Sequence, residues 1–338
     1  MYKNLILLFI FSLLPFGLTA KIKTPGDSIT LKKIWDKAPH NAFPDLIRFK
    51  NEFYCSVREG NSHKPDNSGK VRIIKSRDGN SWQSVALLEK EDIDVREARL
   101  SVTPEGKIMV LLAVGVYEKK YKTLYPMVSF SDLNGANFSE LEKTSMDLTP
   151  SLDWIWSLTW HKGVGYGVIY QVKDTGWETY LLKTKDGKHF EKISQIKIGG
   201  NPNEATIRFD NRERMYVLLR RDADDKMGVV VTSKFPYVDW SFEKMDIQLG
   251  GPNFLFLDSE RLVMGTRYHQ ENGPKTAVFT TDLKGNIQKT FVLPSGGDTS
   301  YPGMVIHKKD LWLVYYSSHE EKSNIYLTQI PLKKLKAR

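Results

Sequence analysis

Apolar and polar positions along the chain form a repeated pattern of strand pairs. A short apolar strand, a polar turn and a longer apolar strand recur six times, and this pattern predicts six β-hairpins. In the fourth hairpin, the continuous apolar run over 215–219 predicts a second strand that is buried on both faces. The six copies are residues 45–58, 99–114, 156–171, 204–221, 253–267 and 301–318.

A second marker repeats in step with the hairpins. A Ser or Thr ends an alternating run in each repeat, and both features recur at intervals of 47 to 57 residues. Strand-only repeats of about 40 to 50 residues close into a ring of four-stranded sheets. We therefore predict an all-β fold: a single six-bladed β-propeller of four-stranded antiparallel blades over residues 21–338. The marker residues are Ser76, Ser131, Thr184, Ser233, Thr281 and Thr328.

Residues 1–20 have a different character. Lys3 precedes an apolar run over 5–18, and Ala20 offers a small residue for cleavage, so the segment is predicted to be a secretory signal peptide. An uncleaved membrane anchor is the alternative, which the shortness of the run and Pro15 disfavour. No Cys follows the run, which argues against a lipoprotein anchor. We expect a secreted or periplasmic protein with no stable membrane insertion.

Charge and motif content narrow the possible partners. The formal net charge of +9 could attract nucleic acid, a membrane or an acidic polysaccharide, and export disfavours nucleic acid. The single cysteine, Cys55, cannot form an internal disulfide. No Cys pair or His-x-x-x-His spacing indicates zinc, and no Gly-rich loop indicates a phosphate site, so no metal and no cofactor are predicted. The oligomeric state stays open.

Two outer turns carry a shared motif. They read Ser-Arg-Asp-Gly-Asn-Ser-Trp at 76–82 and Thr-Lys-Asp-Gly-Lys-His-Phe at 184–190, and degenerate versions stand at 131–135 and 281–285. Asp with Ser or Thr can bond the turn backbone, Gly supplies a positive φ, and the aromatic ring packs back on the blade. These turns resemble the Asp boxes (BNR repeats) of the sialidase (neuraminidase) superfamily. In that family the boxes are structural and lie far from the active site.

The resemblance extends to residues that could take part in catalysis. Glu204 and Arg220 flank one hairpin as the family's glutamate and a triad arginine do, and the segment 297–304 is similar to the one that carries the nucleophilic tyrosine. Asp66 lies in a loop before the first Asp box, much like the acid/base aspartate. The chain departs from the family at Ala42, which stands where the first triad arginine would be.

This resemblance implies a role for each of these residues. Tyr301 would be the nucleophile, Glu204 its base and Asp66 the acid that protonates the leaving oxygen. Arg220 and Arg267 would hold the substrate carboxylate in planar, bidentate contacts. A neutral tyrosine suits a sugar with a carboxylate on its anomeric carbon, because an anionic nucleophile would be repelled. The implied function is an exported exo-α-sialidase-like glycoside hydrolase that acts on an acidic glycan.

Several assignments have alternatives. A slip of one residue would turn Arg221 inward instead of Arg220, and His63 is placed as well as Asp66 to supply the acid. Tyr301 could instead pack as a hairpin-end aromatic, and Glu204 with Arg220 could form only an ion pair. Further substrate-binding candidates at the hairpin ends and in their loops, including two replacements for the missing arginine, are Arg58, Arg99 and Trp154.

Two other functions fit the same predicted pocket. One is a uronate-directed glycoside hydrolase or polysaccharide lyase, in which arginines neutralise the carboxylate and Tyr301 or His63 moves protons. The other is a carbohydrate-binding propeller without turnover. The sugar and its linkage are not predicted.

Overall fold

The computed structural model describes residues 29–336, so the predicted signal segment 1–20 lies outside the described residues. The chain builds six sheets, and the first three follow the strand β1 (Thr30–Trp35) in sequence order. The first blade contains β2 (His40–Phe49), β3 (Glu52–Gly60), β4 (Lys70–Ser76) and β5 (Gln83–Leu88). The second contains β6 (Asp94–Val102), β7 (Ile108–Tyr117), β8 (Tyr121–Phe130) and β9 (Glu142–Lys143). The third contains β11 (Leu152–His161), β12 (Val164–Val172), β13 (Glu178–Thr184) and β14 (His189–Ile196), with β10 (Ser145–Met146) added parallel to β14.

The remaining sheets complete a six-bladed β-propeller. The fourth blade contains β15 (Pro202–Phe209), β16 (Met215–Arg221), β17 (Met227–Ser233) and β18 (Ser241–Gln248). The fifth contains β19 (Asn253–Phe256), β20 (Arg261–Gln270), β21 (Gly273–Asp282) and β22 (Ile287–Val292). The sixth contains β23 (Thr299–His307), β24 (Asp310–Ser317) and β25 (Asn324–Pro331), followed by the helix α1 (Leu332–Leu335). The predicted fold class is therefore confirmed.

The ring closes by pairing the two ends of the described chain. The strand β1 runs antiparallel to β25 and becomes the fourth strand of the sixth blade, with Leu31 opposite Thr328. The strand β1 thus covers β25, which would otherwise be an unpaired edge strand of the sixth blade. Within residues 29–336 no helix is long and apolar enough to cross a membrane.

The apolar core lies between the faces of neighbouring blades. One cluster joins Val168 and Leu181 of the third blade to Ile207 and Val217 of the fourth, and similar clusters join other neighbours. All five residues over 215–219 are buried, as the apolar run predicts. Covered faces on both sides explain why the second strand of each hairpin is continuously apolar.

The two outer turns at 76–82 and 184–190 have the same hydrogen-bond pattern. The hydroxyl of Ser76 accepts a bond from the Gly79 amide, and Asp78 accepts one from the Asn80 amide. In the second turn, Thr184 and Asp186 accept the corresponding bonds from the Gly187 and Lys188 amides. Gly79 and Gly187 both have φ of 75°. Each carboxylate therefore organises its turn.

Candidate active site

A repeated irregularity marks the start of the first strand in five of the six blades. Between the first and second strands the pairing register shifts at 42–45, 96–99, 155–158, 202–205 and 300–303. Such β-bulges bend the strand and redirect side chains. Phe43, Glu97 and Tyr301 adopt positive φ of 51°, 56° and 55° within these bulges. The shifted segments carry Phe43, Glu97, Trp156, Glu204 and Tyr301.

The bulges bring these side chains together in one buried cluster. The ring of Tyr301 lies 5.0 Å from that of Phe43 and 5.5 Å from that of Trp156, centroid to centroid. The Tyr301 hydroxyl donates a hydrogen bond of 2.5 Å to Glu204 Oε1. Tyr301 and Glu204 are only 6% and 5% exposed. Four separate blades thus contribute contacting side chains to one site, and the buried Glu97 of a fifth blade is close enough to affect the pKa of Tyr301.

Both carboxylate oxygens of Glu204 accept hydrogen bonds. Besides the Tyr301 hydroxyl, Oε1 accepts a bond of 2.9 Å from Arg220 Nη1, and Oε2 accepts one of 2.6 Å from the Gly251 amide. Burial alone would raise the pKa of Glu204, but these contacts and the Arg220 charge hold its pKa below the ordinary value. Glu204 is therefore an ionised acceptor in hydrogen-bond contact with a phenol.

Tyr301 is protonated in this arrangement. Burial, and after it the negative charge of Glu204, raises the pKa of Tyr301 well above its ordinary value. A hydrogen bond of 2.5 Å from a neutral phenol to a carboxylate is in the range of charge-assisted bonds. The pair can pass the phenol proton to Glu204 when the tyrosine oxygen forms a new bond.

Arg220 and Arg221 diverge as neighbouring strand residues should. Arg220 contacts Glu204 and, through Nη2, Asp222 at 3.1 Å. Arg221 binds Asp225 at 3.0 Å and the Met227 carbonyl oxygen at 3.2 Å. The structure therefore places Arg220, and not Arg221, beside Glu204.

Arg267 also lies at the cluster. Its guanidinium carbon is 5.6 Å from the centroid of the Tyr301 ring, and its Nε donates to the Thr299 carbonyl oxygen at 2.9 Å. Its Nη2 donates to the Tyr316 hydroxyl at 3.2 Å. Arg267 and Arg220 are thus both positively charged neighbours of the Tyr301–Glu204 pair.

Arg99 and Arg58, the two residues predicted to replace the first triad arginine, have different environments. The guanidinium of Arg99 lies 4.3 Å from the Trp156 ring centroid and 6.0 Å from that of Tyr301. Its Nη1 donates to the Pro44 carbonyl oxygen, whereas Nε and Nη2 are buried without a hydrogen-bond partner. Arg58 is fully buried and bonded to Asp94 at 2.9 Å. Arg99 is therefore the one of the two that lies beside Tyr301.

Phe43 fills space next to Ala42, and both are buried. The Phe43 ring lies 5.2 Å from the Tyr316 ring, centroid to centroid. The guanidinium carbon of Arg96 lies 5.0 Å from the centroid of the Phe43 ring. Arg96 is in turn held by Asp94 at 3.1 Å. The aromatic ring of Phe43 thus packs on Tyr301 directly after Ala42 in the sequence.

The two residues expected to supply the acid lie in the loop 61–69. The Asp66 side chain is exposed and accepts bonds of 3.1 Å and 2.5 Å from the amide and hydroxyl of Ser68. Burial raises the pKa of Asp66, but the Ser68 bonds together outweigh it and hold this pKa below its ordinary value, which does not suit a proton donor. His63 contacts the cluster, since its ring is 5.2 Å from the Phe43 ring.

Sequence reasoning missed Glu97. This residue is 6% exposed, and burial raises its pKa, an effect that Arg96 partly offsets and Glu204 adds to. A buried carboxyl group with a raised pKa is a typical proton donor. X-Pro pairs mark two of the other bulged hairpin starts, Phe43-Pro44 and Tyr301-Pro302, but Ala98 follows Glu97, so this signal was absent at Glu97.

Trp154 is buried within an aromatic stack. Its ring lies 5.9 Å from that of Tyr170, which lies 5.7 Å from that of Trp177. Trp154 is 7% exposed and Trp177 is half-buried. The flat face nearest to solvent in this stack is therefore that of Trp177, and Trp154 supports it.

Comparison with known proteins shows the fold. The chain resembles a Dyadobacter fermentans protein of unknown function (TM-score 0.77, 16% identity, 91% of this chain and 100% of that one). It resembles Trypanosoma rangeli sialidase in complex with the inhibitor DANA (TM-score 0.71, 12% identity, 88% of this chain). Phage phi92 endosialidase is similar as well (TM-score 0.65, 9% identity, 90% of this chain and 69% of that one). The fold of this chain is therefore similar to that of solved sialidase structures.

The likeness is one of architecture rather than of sequence. The chain spans 56% of the length of the T. rangeli sialidase chain. No family model and no curated protein matches the sequence. At identities of 9 to 16%, the solved structures establish the six-bladed fold, and the chemistry has to be argued from the site residues.

Proposed function

We propose that this protein is an exported glycoside hydrolase of sialidase type that removes an acidic, sialic-acid-like sugar from glycans. The contact between the Tyr301 hydroxyl and Glu204 at 2.5 Å is the observation that supports this function most directly. The two residues are 97 positions apart, yet they share one buried site with two arginines. An ionised base in contact with a neutral nucleophile is the arrangement that covalent catalysis requires.

The proposed reaction has two steps. In the first, the Tyr301 oxygen bonds to the anomeric carbon, Glu204 accepts the phenol proton, and the glycosidic carbon–oxygen bond breaks. The leaving oxygen takes a proton from a carboxyl group, for which Glu97 is the candidate in the site. In the second step, water replaces the tyrosine oxygen on the anomeric carbon and gives one proton to the Glu97 carboxylate, while the proton on Glu204 returns to Tyr301.

Arginines would bind the substrate carboxylate. Arg99 has two buried guanidinium nitrogens without a partner, and an incoming carboxylate would satisfy them. The Arg267 guanidinium lies over the Tyr301 ring, and the Arg220 guanidinium is bonded to Glu204, so both add positive charge to the site. Because Tyr301 and Glu204 are buried, we infer that neighbouring side chains move aside when a sugar binds.

A second candidate is a propeller that binds acidic sugars without turnover. The aromatic ring of Phe43 beside Ala42, where the resemblance would require an arginine, favours this alternative. A uronate-directed hydrolase or lyase would use the same arginines on a different acidic sugar.

A substrate panel tests the proposal. The purified protein is incubated with sialylated oligosaccharides and with uronate polysaccharides, and free sialic acid and unsaturated uronate ends are measured. We expect free sialic acid or a related acidic monosaccharide, and at least about a 100-fold loss of turnover in Tyr301→Phe. Unsaturated ends would indicate a lyase, and binding without either product would indicate a carbohydrate-binding protein.

Tyr315→Phe is the matched control. Tyr315 is also buried, and its hydroxyl donates one hydrogen bond of 2.6 Å, to the Pro294 carbonyl oxygen rather than to Glu204. The phenylalanine variant loses this bond. Full activity in Tyr301→Phe, with product release by the native protein, would rule out the tyrosine nucleophile.

A further inference from the structure

Two imidazoles and a carboxylate converge beside the Tyr301 cluster. His40 Nε2 lies 3.0 Å and His63 Nδ1 lies 2.7 Å from the same oxygen, Asp298 Oδ2. These three atoms all lie within 4.8 Å of one another. His40 comes from β2, His63 from the loop 61–69 and Asp298 from the segment before β23. We propose that His40, His63 and Asp298 bind one divalent transition-metal ion, with Zn²⁺ as the best match.

The donor set determines the class of ion. Imidazole nitrogen and carboxylate oxygen are ordinary ligands of zinc and related first-row metals, whereas Mg²⁺ and Ca²⁺ prefer oxygen ligands only. Around a tetrahedral ion with bonds of about 2.0–2.2 Å, ligand atoms are about 3.3 Å apart. The observed distances to Asp298 Oδ2 are a few tenths of an ångström shorter. His63 lies on an exposed loop, and the nitrogens of His40 and His63 lie within 4.8 Å of each other, so we infer that a small adjustment of the His63 side chain accompanies binding of the ion.

The surroundings of Asp298 leave one oxygen for the ion. The Tyr316 hydroxyl donates to Asp298 Oδ1 at 2.7 Å, and Arg267 Nη2 lies 4.0 Å from the same oxygen. The Asp298 amide donates to the Ser318 hydroxyl at 2.7 Å, which orients the residue. Supporting bonds of this kind orient metal ligands and tune their affinity. Oδ1 is therefore engaged by the protein, and Oδ2 faces the two histidines.

Exposure increases across the three ligands. The side chains of His40, Asp298 and His63 are 10%, 28% and 47% exposed. The ion thus has a path from solvent on the His63 side, and three protein ligands leave a coordination position for water on that side. A bound ion would tie the loop 61–69 to the sixth blade next to Phe43, whose ring lies 5.2 Å from that of His63. The site does not depend on the proposed hydrolase activity.

Metal titration of the purified protein, after treatment with a chelator, tests the site. We expect saturable binding of one Zn²⁺ per chain in calorimetry and the visible absorption bands of protein-bound Co²⁺ in spectroscopy. His63→Ala and Asp298→Asn should each weaken Zn²⁺ binding by at least about 10- to 100-fold, the range seen when even a supporting residue of a metal ligand is lost.

His189→Ala is the matched control. His189 also contacts a carboxylate, with Nδ1 2.5 Å from Asp186 Oδ2, but it belongs to no group of three ligands found in residues 29–336. Its removal should leave Zn²⁺ affinity unchanged. Because His63 is on an exposed loop, His63→Ala should retain the native circular dichroism spectrum. The absence of saturable binding in the native protein, or native affinity in His63→Ala, would overturn the proposal.

Discussion

The hydroxyl of Tyr301 and the carboxylate of Glu204 meet at 2.5 Å although they belong to the sixth and fourth blades. Each residue stands at a β-bulge, and Tyr301 has a positive φ of 55°. A non-glycine residue with positive φ costs about 1–3 kcal/mol and is found preferentially at functional sites. The backbone is therefore strained at the residue whose phenol contacts the buried carboxylate.

Replacing Glu204 should make the stability of the protein less dependent on pH. The pKa of Glu204 is lowered in the folded state from its ordinary value of 4.5, so its ionised form stabilises the fold above about pH 4.5. As the pH falls below 4.5 toward the folded-state pKa, this contribution is lost. We expect Glu204→Gln to lower the free energy of unfolding by about 3 kcal/mol at pH 7 and by progressively less at lower pH.

Urea unfolding of both proteins between pH 7 and pH 3.5 measures this difference. Glu142→Gln serves as the control, because Glu142 is half-exposed and its ion pair with Lys188 should contribute little. A stability difference for Glu204→Gln that stays constant across this range would contradict the lowered pKa.

The proton donor can be identified by comparing three variants. Glu97 is buried with a raised pKa, whereas Asp66 is exposed with a lowered pKa. Loss of a positioned acid typically reduces turnover by about 10²- to 10⁴-fold. We therefore expect Glu97→Gln to reduce kcat in that range and Asp66→Asn to reduce it less than about 3-fold, with His63→Gln between them.

A substrate with a better leaving group provides the internal check. An aryl glycoside needs little protonation of its leaving oxygen, so it should restore much of the activity of Glu97→Gln if Glu97 is the acid. Equal losses on the aryl glycoside and the natural oligosaccharide would instead indicate that Glu97 positions other groups.

Arg99 and Arg58 should differ in what their removal affects. Arg99 makes one hydrogen bond, to the Pro44 carbonyl oxygen, and has two unpartnered nitrogens near Tyr301. Arg58 forms a fully buried ion pair with Asp94. We expect Arg99→Gln to raise KM for the acidic sugar by about 10-fold or more, and Arg58→Gln to lower the free energy of unfolding by about 3–5 kcal/mol.

Steady-state kinetics and urea unfolding of both variants separate the two effects. If Arg58→Gln raised KM while leaving stability unchanged, Arg58 rather than Arg99 would be the substrate-binding residue.

The fold could be predicted from the sequence because a propeller repeats its requirements in every blade. Each hairpin needs a doubly buried second strand, so the apolar run over 215–219 has counterparts in all six repeats. The contact of Glu204 with Tyr301 was expected only from the resemblance, since nothing local relates residues 97 positions apart. Glu97 was missed for a physical reason: it reaches the site through a bulge, and one extra residue reverses the face on which a side chain lies.

The meeting of His40, His63 and Asp298 was equally inaccessible to the sequence. Metal sites are recognised in sequences by short ligand spacings, and here two of the ligands are 235 positions apart. Only the closure of the ring brings the first and last blades into contact. Long-range pairs of this kind depend on the whole fold and leave no local pattern.

Packing between the first and sixth blades can be measured with a pair of glycines. Gly79 and Gly106 both have φ of 75°, so alanine has the same backbone strain at either position. A Cβ atom at Gly79 would come within 2.4 Å of the Trp312 side chain in the sixth blade, whereas one at Gly106 would meet nothing within 4 Å. We expect Gly106→Ala to lower the free energy of unfolding by about 1 kcal/mol and Gly79→Ala by at least about 1–3 kcal/mol more. Because the Trp312 ring stacks on Phe53 at 4.4 Å, it cannot move without disturbing the first blade. Urea unfolding of the two variants gives the difference directly, and equal losses would show that the turn at 76–82 is not pressed against the sixth blade.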